Sequence, residues 1–186
     1  MKKLFLVGAL TLFGAVNAQT FGLKAGVNVS SVSNFAQSKS KIGFNGGVFM
    51  NAPLAASFSI QPEIIYSGKG AKYDGVVEVD MNLDYISVPV MFQYNATPKF
   101  YFEAGPEFSF LMSGKLKGEG ESVDLKDDLN SFDFGIGLGL GYFFTPNFGI
   151  NARYVSGITG IIKDNPNDEA SKNNVFQIGL AYKFSK

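Results

Sequence analysis

The stretch Phe132–Phe144, FDFGIGLGLGYFF, alternates bulky apolar residues with glycine or aspartate along most of its length. A period of two is the side-chain repeat of a β-strand, so the stretch predicts a strand with one apolar face and one small or polar face. The apolar face is aliphatic in the middle and aromatic towards both ends. Aromatic rings at the two ends of an apolar band are typical of the two interfaces of a membrane. The stretch therefore indicates a strand that crosses a bilayer.

Seven further stretches alternate in the same way, and each has about the length that a tilted membrane strand needs. The predicted strands are Phe21–Ser31, Ile42–Ala52, Phe58–Lys69, Leu83–Tyr94, Lys99–Met112, Ser131–Phe144, Phe148–Thr159 and Asn173–Phe184. Long polar connections are expected at Val32–Lys41, Gly70–Asn82, Ser113–Asn130 and Gly160–Lys172. Short turns are expected at Pro53–Ser57, Asn95–Pro98 and Thr145–Asn147. This pattern predicts an all-β, eight-stranded, antiparallel up-and-down transmembrane barrel, with long loops outside and both termini in the periplasm.

Alternation alone leaves a second architecture open, because a soluble lipocalin-like carrier also has eight strands but turns its apolar face inward. Three features favour an outward apolar face. The interior of an eight-stranded barrel is too narrow for so many rings, whereas the opposite face is rich in glycine. The aromatic residues are sorted to the strand ends, with aliphatic residues between them. The last strand also ends on an aromatic residue, Phe184, as outer-membrane barrels commonly do.

The N-terminus has the order of regions found in a secretory signal peptide. Lys2 and Lys3 precede an apolar run from Leu4 to Val16, and a small-residue site ends at Ala18. We expect residues 1–18 to be a cleaved signal peptide and residues 19–186 to be one barrel domain. Cleavage changes the balance of 16 basic and 16 acidic residues to 14 and 16, a net charge of −2. This charge does not favour nucleic acid, which needs a basic surface.

Several motifs resemble those of the PorT-type outer-membrane β-barrel family of Bacteroidetes. They are Ser59–Gly70, Tyr85–Val90, Glu103–Pro106, Phe132–Gly137, Ala152–Tyr154 and Phe176–Phe184. The resemblance covers essentially the whole mature chain and implies an outer-membrane barrel, of a family whose founding member is associated with protein secretion. One departure is Ser87, where the family pattern implies an acidic residue. Pro62, Pro89 and Pro106 lie inside predicted strands, where each removes a ladder hydrogen bond, so we expect bulges or bends there.

The small-residue face also carries charged side chains, which enclosure in protein forces to find opposite partners or water. By strand phase, we place Lys24, Glu63, Lys69, Asp84, Glu103, Glu107, Asp133, Arg153 and Lys183 on it, with the polar residues Asn28, Gln61, Tyr101, Asn151 and Gln177. We expect an ion network of Lys24, Glu63, Lys69, Glu103, Glu107, Asp133, Arg153 and Lys183 that fills the bore. A selective path for small solutes is the alternative.

The expected depth of each charged residue sets its expected partners. Lys24 and Lys183 should be neighbours near the periplasmic end, on the first and last strands. They should face Glu63 and Glu103 across the bore. Arg153 should lie higher, within reach of Asp133 or Glu107.

The composition argues against an enzyme. The chain has no histidine and no cysteine, so it lacks the usual base for a serine nucleophile and the usual metal ligands. Glu103 and Glu107 could form a carboxylate pair, but a basic partner in the bore is the better expectation. The acidic loop stretches, Gly118–Asp128 and Asp164–Glu169, lack the spacing of a calcium-binding EF-hand. The glycine run Gly135–Gly141 matches a dinucleotide motif only in part, because no helix follows. We expect no cofactor.

These observations predict a non-enzymatic, porin-like outer-membrane protein that serves as a plugged scaffold. Its expected partners are outer-membrane lipid, the barrel-assembly machinery through the C-terminal strand, and a protein at the extracellular loops. The loop Ser113–Asn130 is the longest and the first candidate for that contact. Two alternatives are an accessory of a secretion machinery, contacted at its periplasmic turns or wall, and the soluble carrier. The sequence does not indicate the oligomeric state.

Overall fold

The computed structural model describes residues 19–33, 38–74, 78–118, 121–163 and 170–184. It contains nine strands: β1 (Thr20–Val32), β2 (Ser38–Ala55), β3 (Phe58–Asp74), β4 (Glu78–Asn95), β5 (Phe100–Gly118), β6 (Glu121–Asp124), β7 (Phe132–Phe143), β8 (Phe148–Gly157) and β9 (Asn173–Lys183). A short 3₁₀ turn, Lys126–Asp128, follows β6. The predicted signal peptide lies outside the described residues. Among the described residues, no helix is long and apolar enough to cross a membrane.

Eight of these strands close into an antiparallel ring in the order β1-β2-β3-β4-β5-β7-β8-β9, and β9 pairs again with β1. The closing pairs run in unbroken register from Gly22 opposite Lys183 to Val32 opposite Asn173. Closure removes the unpaired strand edges that a bilayer does not tolerate. The predicted eight-stranded up-and-down barrel is therefore confirmed.

Two of the short turns use the same four-residue motif, threonine-proline-any-phenylalanine. In the turn between β4 and β5, Thr97 Oγ1 accepts the N–H groups of Lys99 and Phe100 at 3.3 and 2.9 Å. In the turn between β7 and β8, Thr145 Oγ1 accepts the N–H groups of Asn147 and Phe148 at the same two distances. A threonine hydroxyl that binds the backbone two residues ahead forms a compact turn, which explains how these strands reverse within a few residues.

The apolar residues that alternate along the strands point away from the barrel and stay exposed. Leu138, in the middle of β7, has 62% of its surface exposed, and Phe44 on β2 has 72%. An aromatic belt at the short-turn end comprises Phe21, Phe58, Phe92, Tyr94, Phe102, Tyr142, Phe144, Phe148, Tyr182 and Phe184. A belt at the long-loop end comprises Phe44, Tyr66, Phe110, Phe132, Tyr154 and Phe176. Two belts around an apolar band are the surface that a bilayer covers, so the soluble-carrier alternative is wrong.

Strands β2 to β5 continue past the long-loop belt and form a sheet on one side of the mouth, which we call the mouth sheet. Its segments are residues 38–41, 69–74, 78–84 and 113–118, and β6 pairs with the end of β5. The sequence analysis assigned all of these residues except Lys69, Leu83 and Asp84 to loops, which is wrong. A shift of register between Ser40 and Asn45 and the left-handed backbone of Gly70, with φ of 133°, mark where β2 and β3 leave the barrel.

The three prolines inside the wall cause no bulge. The register between β3 and β4 is the same at Pro62 opposite Val90 as at Ile65 opposite Ser87, so no residue is inserted between them. The shifts lie elsewhere, between Pro53 and Ala55 and between Asp84 and Tyr85, besides the one already described. The expected bulges at Pro62, Pro89 and Pro106 are therefore wrong. Backbone pairing is interrupted beside each proline, but the register of the strands is the same before and after the interruption.

Candidate functional site

The bore of the barrel holds a cluster of four charged residues on four different strands, which we call the lower charge cluster: Lys24, Glu63, Glu103 and Arg153. Lys24 Nζ lies 2.6 Å from Glu63 Oε1. Arg153 donates from Nη1 and Nη2 to the two oxygens of Glu63 at 3.0 and 2.8 Å. It also donates from Nε to Glu103 Oε1 at 2.8 Å. All four side chains are buried, and two cations face two carboxylates, so the cluster is neutral as a whole.

Glycines on β7 make room for this cluster. A Cβ on Gly139 would stand 3.0 Å from Glu103 Oε1, and one on Gly137 would stand 3.5 Å from Arg153 Cδ. On the same face, Gly141 lies against the ring of Tyr101. The glycine face that the sequence shows on β7 is therefore a smooth side of the bore, against which long side chains from β5 and β8 can lie.

A second group lies nearer the long-loop end and is called here the upper charge cluster: Lys69, Glu107 and Asp133. Lys69 Nζ lies 3.1 Å from Glu107 Oε1 and 3.8 Å from Asp133 Oδ2. Asp133 Oδ2 also accepts a hydrogen bond of 2.9 Å from Asn173 Nδ2. Lys69 donates to Ser109 Oγ at 3.1 Å as well. One cation faces two carboxylates here, and neighbouring polar groups supply further hydrogen bonds.

Towards the short-turn end, a layer of amide and hydroxyl side chains continues the lower charge cluster: Asn51, Ser59, Gln61, Gln93 and Asn95. Two of its members also bind the carboxylates above them. Gln61 Nε2 donates to Glu63 Oε1 at 2.8 Å, and Gln93 Nε2 donates to Glu103 Oε2 at 3.0 Å. The polar groups of the bore thus form connected networks, which lowers the cost of burying them.

Apolar clusters lie at both ends of the polar region. At the short-turn end, Phe49, Tyr101, Phe143 and Ala181 pack together. At the long-loop end, a larger cluster comprises Val32, Ala71, Met81, Leu83, Tyr85, Leu111, Leu129 and Ile161. We call them the lower plug and the upper plug. The lower plug lies at the level of the amide layer, where Tyr101 is opposite Asn95, and the upper plug lies above the upper charge cluster.

The structure brings most of the predicted network together but changes its pairing. Lys24 meets Glu63 as expected, and Lys69, Glu107 and Asp133 share one cluster. The expected partners of Arg153 were wrong, because it contacts Glu63 and Glu103 rather than Asp133 or Glu107. The stagger between tilted strands moves residues along the barrel axis, so counting from strand ends misplaced the arginine.

Two further residues lie elsewhere than expected. Lys183 is half-buried at the end of β9, where its Nζ stands 3.8 Å from the centre of the Phe143 ring, and no ion pair joins it to a described residue. Asp84 lies on the outer face, where the Tyr66 hydroxyl donates to its Oδ1 at 2.6 Å. Asp84 shares the strand phase of Ile86, which places it outside. Ser87, where an acidic residue was expected, lies 2.7 Å from Ser109 through their hydroxyl oxygens.

Sequence reasoning missed several bore residues although strand phase could have found them. Asn51, Gln93, Ser109 and Asn173 all follow the inward phase of their strands, but polar uncharged residues are a weak signal beside lysine or glutamate. Lys41 was assigned to a loop, yet it is buried and donates to the Met81 carbonyl oxygen at 3.1 Å and to Asn82 Oδ1.

In the described ranges, no group of three or more acidic side chains is placed to hold a metal ion.

A family model for the outer membrane protein beta-barrel domain matches residues 17–163. The chain belongs to this family. No curated protein matches it. The family consists of outer-membrane β-barrel domains, and the structure is a closed β-barrel, so the chain is an outer-membrane protein.

Three solved structures illustrate how far the fold is shared. Ail, the attachment invasion locus protein of Yersinia pestis, is 18% identical with a TM-score of 0.53, over 90% of this chain and 99% of its own. Neisserial surface protein A is 16% identical with a TM-score of 0.60, over 88% and 97%. A major outer membrane protein from Thermus thermophilus is 15% identical with a TM-score of 0.53, over 90% and 100%. At these identities the likeness concerns the fold alone.

Proposed function

We propose that the chain is a closed, non-enzymatic scaffold in the outer membrane, whose extracellular end contacts a partner. The observation that carries this proposal is the filled bore. Two charge clusters occupy its middle, the amide layer and the lower plug fill its short-turn end, and the upper plug fills its long-loop end. Barrels of this size are normally filled by their own side chains, and a hydrated path needs a continuous polar lining.

Planar-bilayer recordings test the closed bore. The purified chain is expected to give no conductance steps above background under conditions in which a general porin, added to the same bilayer, conducts. The reason is that permeation would require both plugs and the bonded charge clusters to separate. Steady, concentration-dependent conductance by the chain alone would refute the closed bore and favour the small-solute path.

We place the contact surface at the extracellular end because the mouth sheet stands beyond the membrane and β6, at its edge, has one free side among the described strands. All four residues of β6 are exposed, and β6 pairs with β5 alone among the described strands. A free strand edge is a common site for a partner. Ail, another barrel with this fold, has been crystallised in complex with the heparin analogue sucrose octasulfate.

We further propose that the chain belongs to the PorT-type branch of the family, on the motifs Ser59–Gly70 and Phe176–Phe184, and that residues 1–18 are a cleaved signal peptide. In this proposal the barrel-assembly machinery recognises the C-terminal strand. An accessory role in secretion is the second candidate, which the PorT-type motifs favour, and it requires partners at the periplasmic turns or the barrel wall.

Site-directed photocrosslinking in cells separates the two roles. A photoreactive residue replaces exposed Ser122 on β6 or exposed Ala56 in the turn between β2 and β3. The scaffold proposal expects one defined protein adduct from position 122 and none from position 56. The opposite result would favour the secretion accessory.

A further inference from the structure

The mouth sheet, the segment that follows β6 and the segment that follows β8 line an open cavity outside the membrane, called here the mouth cavity. Its volume is about 420 Å³, and its lining comprises Tyr73, Val79, Met81, Leu116, Leu125, Asp128, Leu129 and Ile162. The lining side chains are apolar apart from the Tyr73 hydroxyl and the carboxylate of Asp128, which is exposed at the rim. The cavity thus lies where the extracellular medium reaches it, beyond the aromatic belt.

Two walls of different origin form the cavity. One wall is the inner face of the mouth sheet, where Met81 lies opposite Leu116 and Tyr73 lies opposite Val79. The other wall is formed by Leu125–Leu129, after β6, and by Ile162, after β8. A β-bridge joins Leu129 to Ile162, and Leu125 N donates a hydrogen bond of 2.8 Å to the Gly114 carbonyl oxygen. Gly114 lets the walls meet, because a Cβ there would stand 2.7 Å from Leu129 Cδ1. Backbone contacts therefore hold the two walls of the cavity in place without a ligand.

The floor of the cavity is closed. Below it, the upper plug includes Leu83, Leu111 and Ile161, all of which are buried. A molecule that enters from outside consequently meets a dead end. An engineered apolar cavity of roughly 150 Å³ holds benzene, so a volume nearly three times larger suits two or three fused rings.

The charges around the cavity favour an uncharged occupant. Lys72 and Asp80 form an ion pair of 3.7 Å on the mouth sheet. Their side chains point to the face opposite to the cavity, so they cannot neutralise a charged ligand in it. Burial raises the pKa of Tyr73 above its ordinary value, so its hydroxyl stays neutral at physiological pH.

Asp128 at the rim repels anions. Lys163, which follows the lining residue Ile162, donates from its Nζ to the Asp127 carbonyl oxygen at 2.8 Å. A fatty acid or another anionic amphiphile would therefore place its carboxylate beside Asp128 and compete with that carbonyl oxygen for the lysine.

We infer that the mouth cavity binds a small, uncharged, apolar molecule of two or three fused rings, taken from the extracellular side. The inference rests on the proposed function and deepens it, because it names the class of ligand for the extracellular end. Ligand pockets of this size are typically apolar and largely preformed, which fits the two bonded walls. The bound molecule removes apolar surface from water at a place that the bilayer does not cover.

The test uses the full mature chain in nanodiscs and naphthalene as the probe. Because the chain lacks cysteine, Asp128→Cys can carry a single polarity-sensitive dye at the rim, and Ala56→Cys carries the same dye at the opposite end of the barrel. Naphthalene is expected to give a saturable change of emission at position 128 and only a linear, lipid-partition response at position 56. The cavity-filling variant Val79→Trp, combined with Asp128→Cys, should weaken binding at least tenfold.

Folding of each variant is checked by its heat-dependent gel migration. The smaller change Val79→Ile replaces Val79→Trp if the larger residue prevents folding, with an expected loss of binding of about twofold to fivefold. 2-Naphthoate is the charge control, measured on Lys126→Cys with the same dye so that Asp128 and the lining residues are present, and it should bind at least tenfold more weakly than naphthalene there. A linear response at position 128, equal binding by the filled variant, or equal binding of naphthoate overturns the inference. Crosslinking of a protein partner into the cavity of the unliganded chain also counts against it.

Bilayer recordings on the same preparations keep the two ideas apart. If naphthalene fails to bind while the bilayers stay silent, the ligand inference falls and the closed scaffold remains. If the bilayers conduct, the proposed function falls whether or not naphthalene binds.

Discussion

Arg153 on β8 and Glu63 on β3 form a two-pronged ion pair across the bore, with Nη1 to Oε2 at 3.0 Å and Nη2 to Oε1 at 2.8 Å. The same guanidinium binds Glu103 on β5 through Nε. The planar fork of arginine suits such bidentate contacts, which a lysine at this position could not make. One side chain therefore ties three strands that are not neighbours in the ring.

Removing this guanidinium should strongly destabilise the barrel. Arg153→Met leaves Glu63 and Glu103 buried with only Lys24 near them, so we expect the free energy of unfolding to fall by about 3–5 kcal/mol. The measurement is reversible guanidinium unfolding of the chain in lipid vesicles, followed by gel migration. Lys72→Met is the matched control: its pair with Asp80 is partly exposed, with 40% and 36% of the side-chain surfaces accessible, and the loss should be roughly 0–1 kcal/mol. Equal losses for the two variants would contradict the role assigned to Arg153.

A charge on the lipid face should be costly in the middle of the bilayer and harmless beyond it. Leu138→Arg places a guanidinium between the two aromatic belts and should lower the free energy of unfolding by about 2–4 kcal/mol. Ser131→Arg, just outside β7 at the long-loop end, should change it by less than about 0.5 kcal/mol. The same vesicle assay compares them. A tolerated arginine at position 138 would mean that β7 does not face lipid.

Neighbouring glycines on β2 should respond differently to one added methyl group. A Cβ on Gly47 would overlap the Ile64 carbonyl oxygen of β3, whereas one on Gly46 would have Lys24 O as its nearest atom, at 3.5 Å. We expect Gly47→Ala to cost about 1–3 kcal/mol, because backbone must move, and Gly46→Ala to be nearly neutral. Thermal unfolding in detergent ranks the two. The reverse order would show that the inward and outward phases of β2 are exchanged.

Extraction and gel behaviour test the membrane assignment without any variant. The chain should leave membranes only with detergent, and the unboiled sample should migrate differently from the boiled one, because the closed ring of paired strands persists in detergent until it is heated. Recovery of the folded chain in buffer alone would restore the soluble carrier that the exposed aromatic belts exclude.

The membrane part of the fold could be predicted because its signal is local. In β7, apolar residues alternate with glycine, and the rings at both ends mark its length, so strand, phase and span all follow from one stretch. The mouth sheet could not be predicted in the same way. Its outer face carries Lys72, Asp80 and Lys117, and an alternation of charged and apolar residues resembles a solvated loop when it follows a membrane strand.

The bore was predictable in composition but not in pairing. Strand phase correctly put Lys24, Glu63 and Glu103 inside, since the face follows from parity alone. Which residues meet across the bore depends on the stagger of tilted strands and on side-chain length. Arg153 is long enough to cross the bore and contacts carboxylates on β3 and β5 that a count from the strand ends does not place opposite it.

The mouth sheet stands on one side of the ring only, since β2 to β5 extend past the aromatic belt while β7 and β8 end close to it. The molecule consequently has a front and a back when viewed from outside the cell. Of the strands that the structure describes, an antibody, a protease or a labelling reagent in the medium would meet those of the mouth sheet first. The orientation of the barrel about its axis therefore decides which neighbouring membrane protein faces the mouth sheet and which faces the side of β7 and β8.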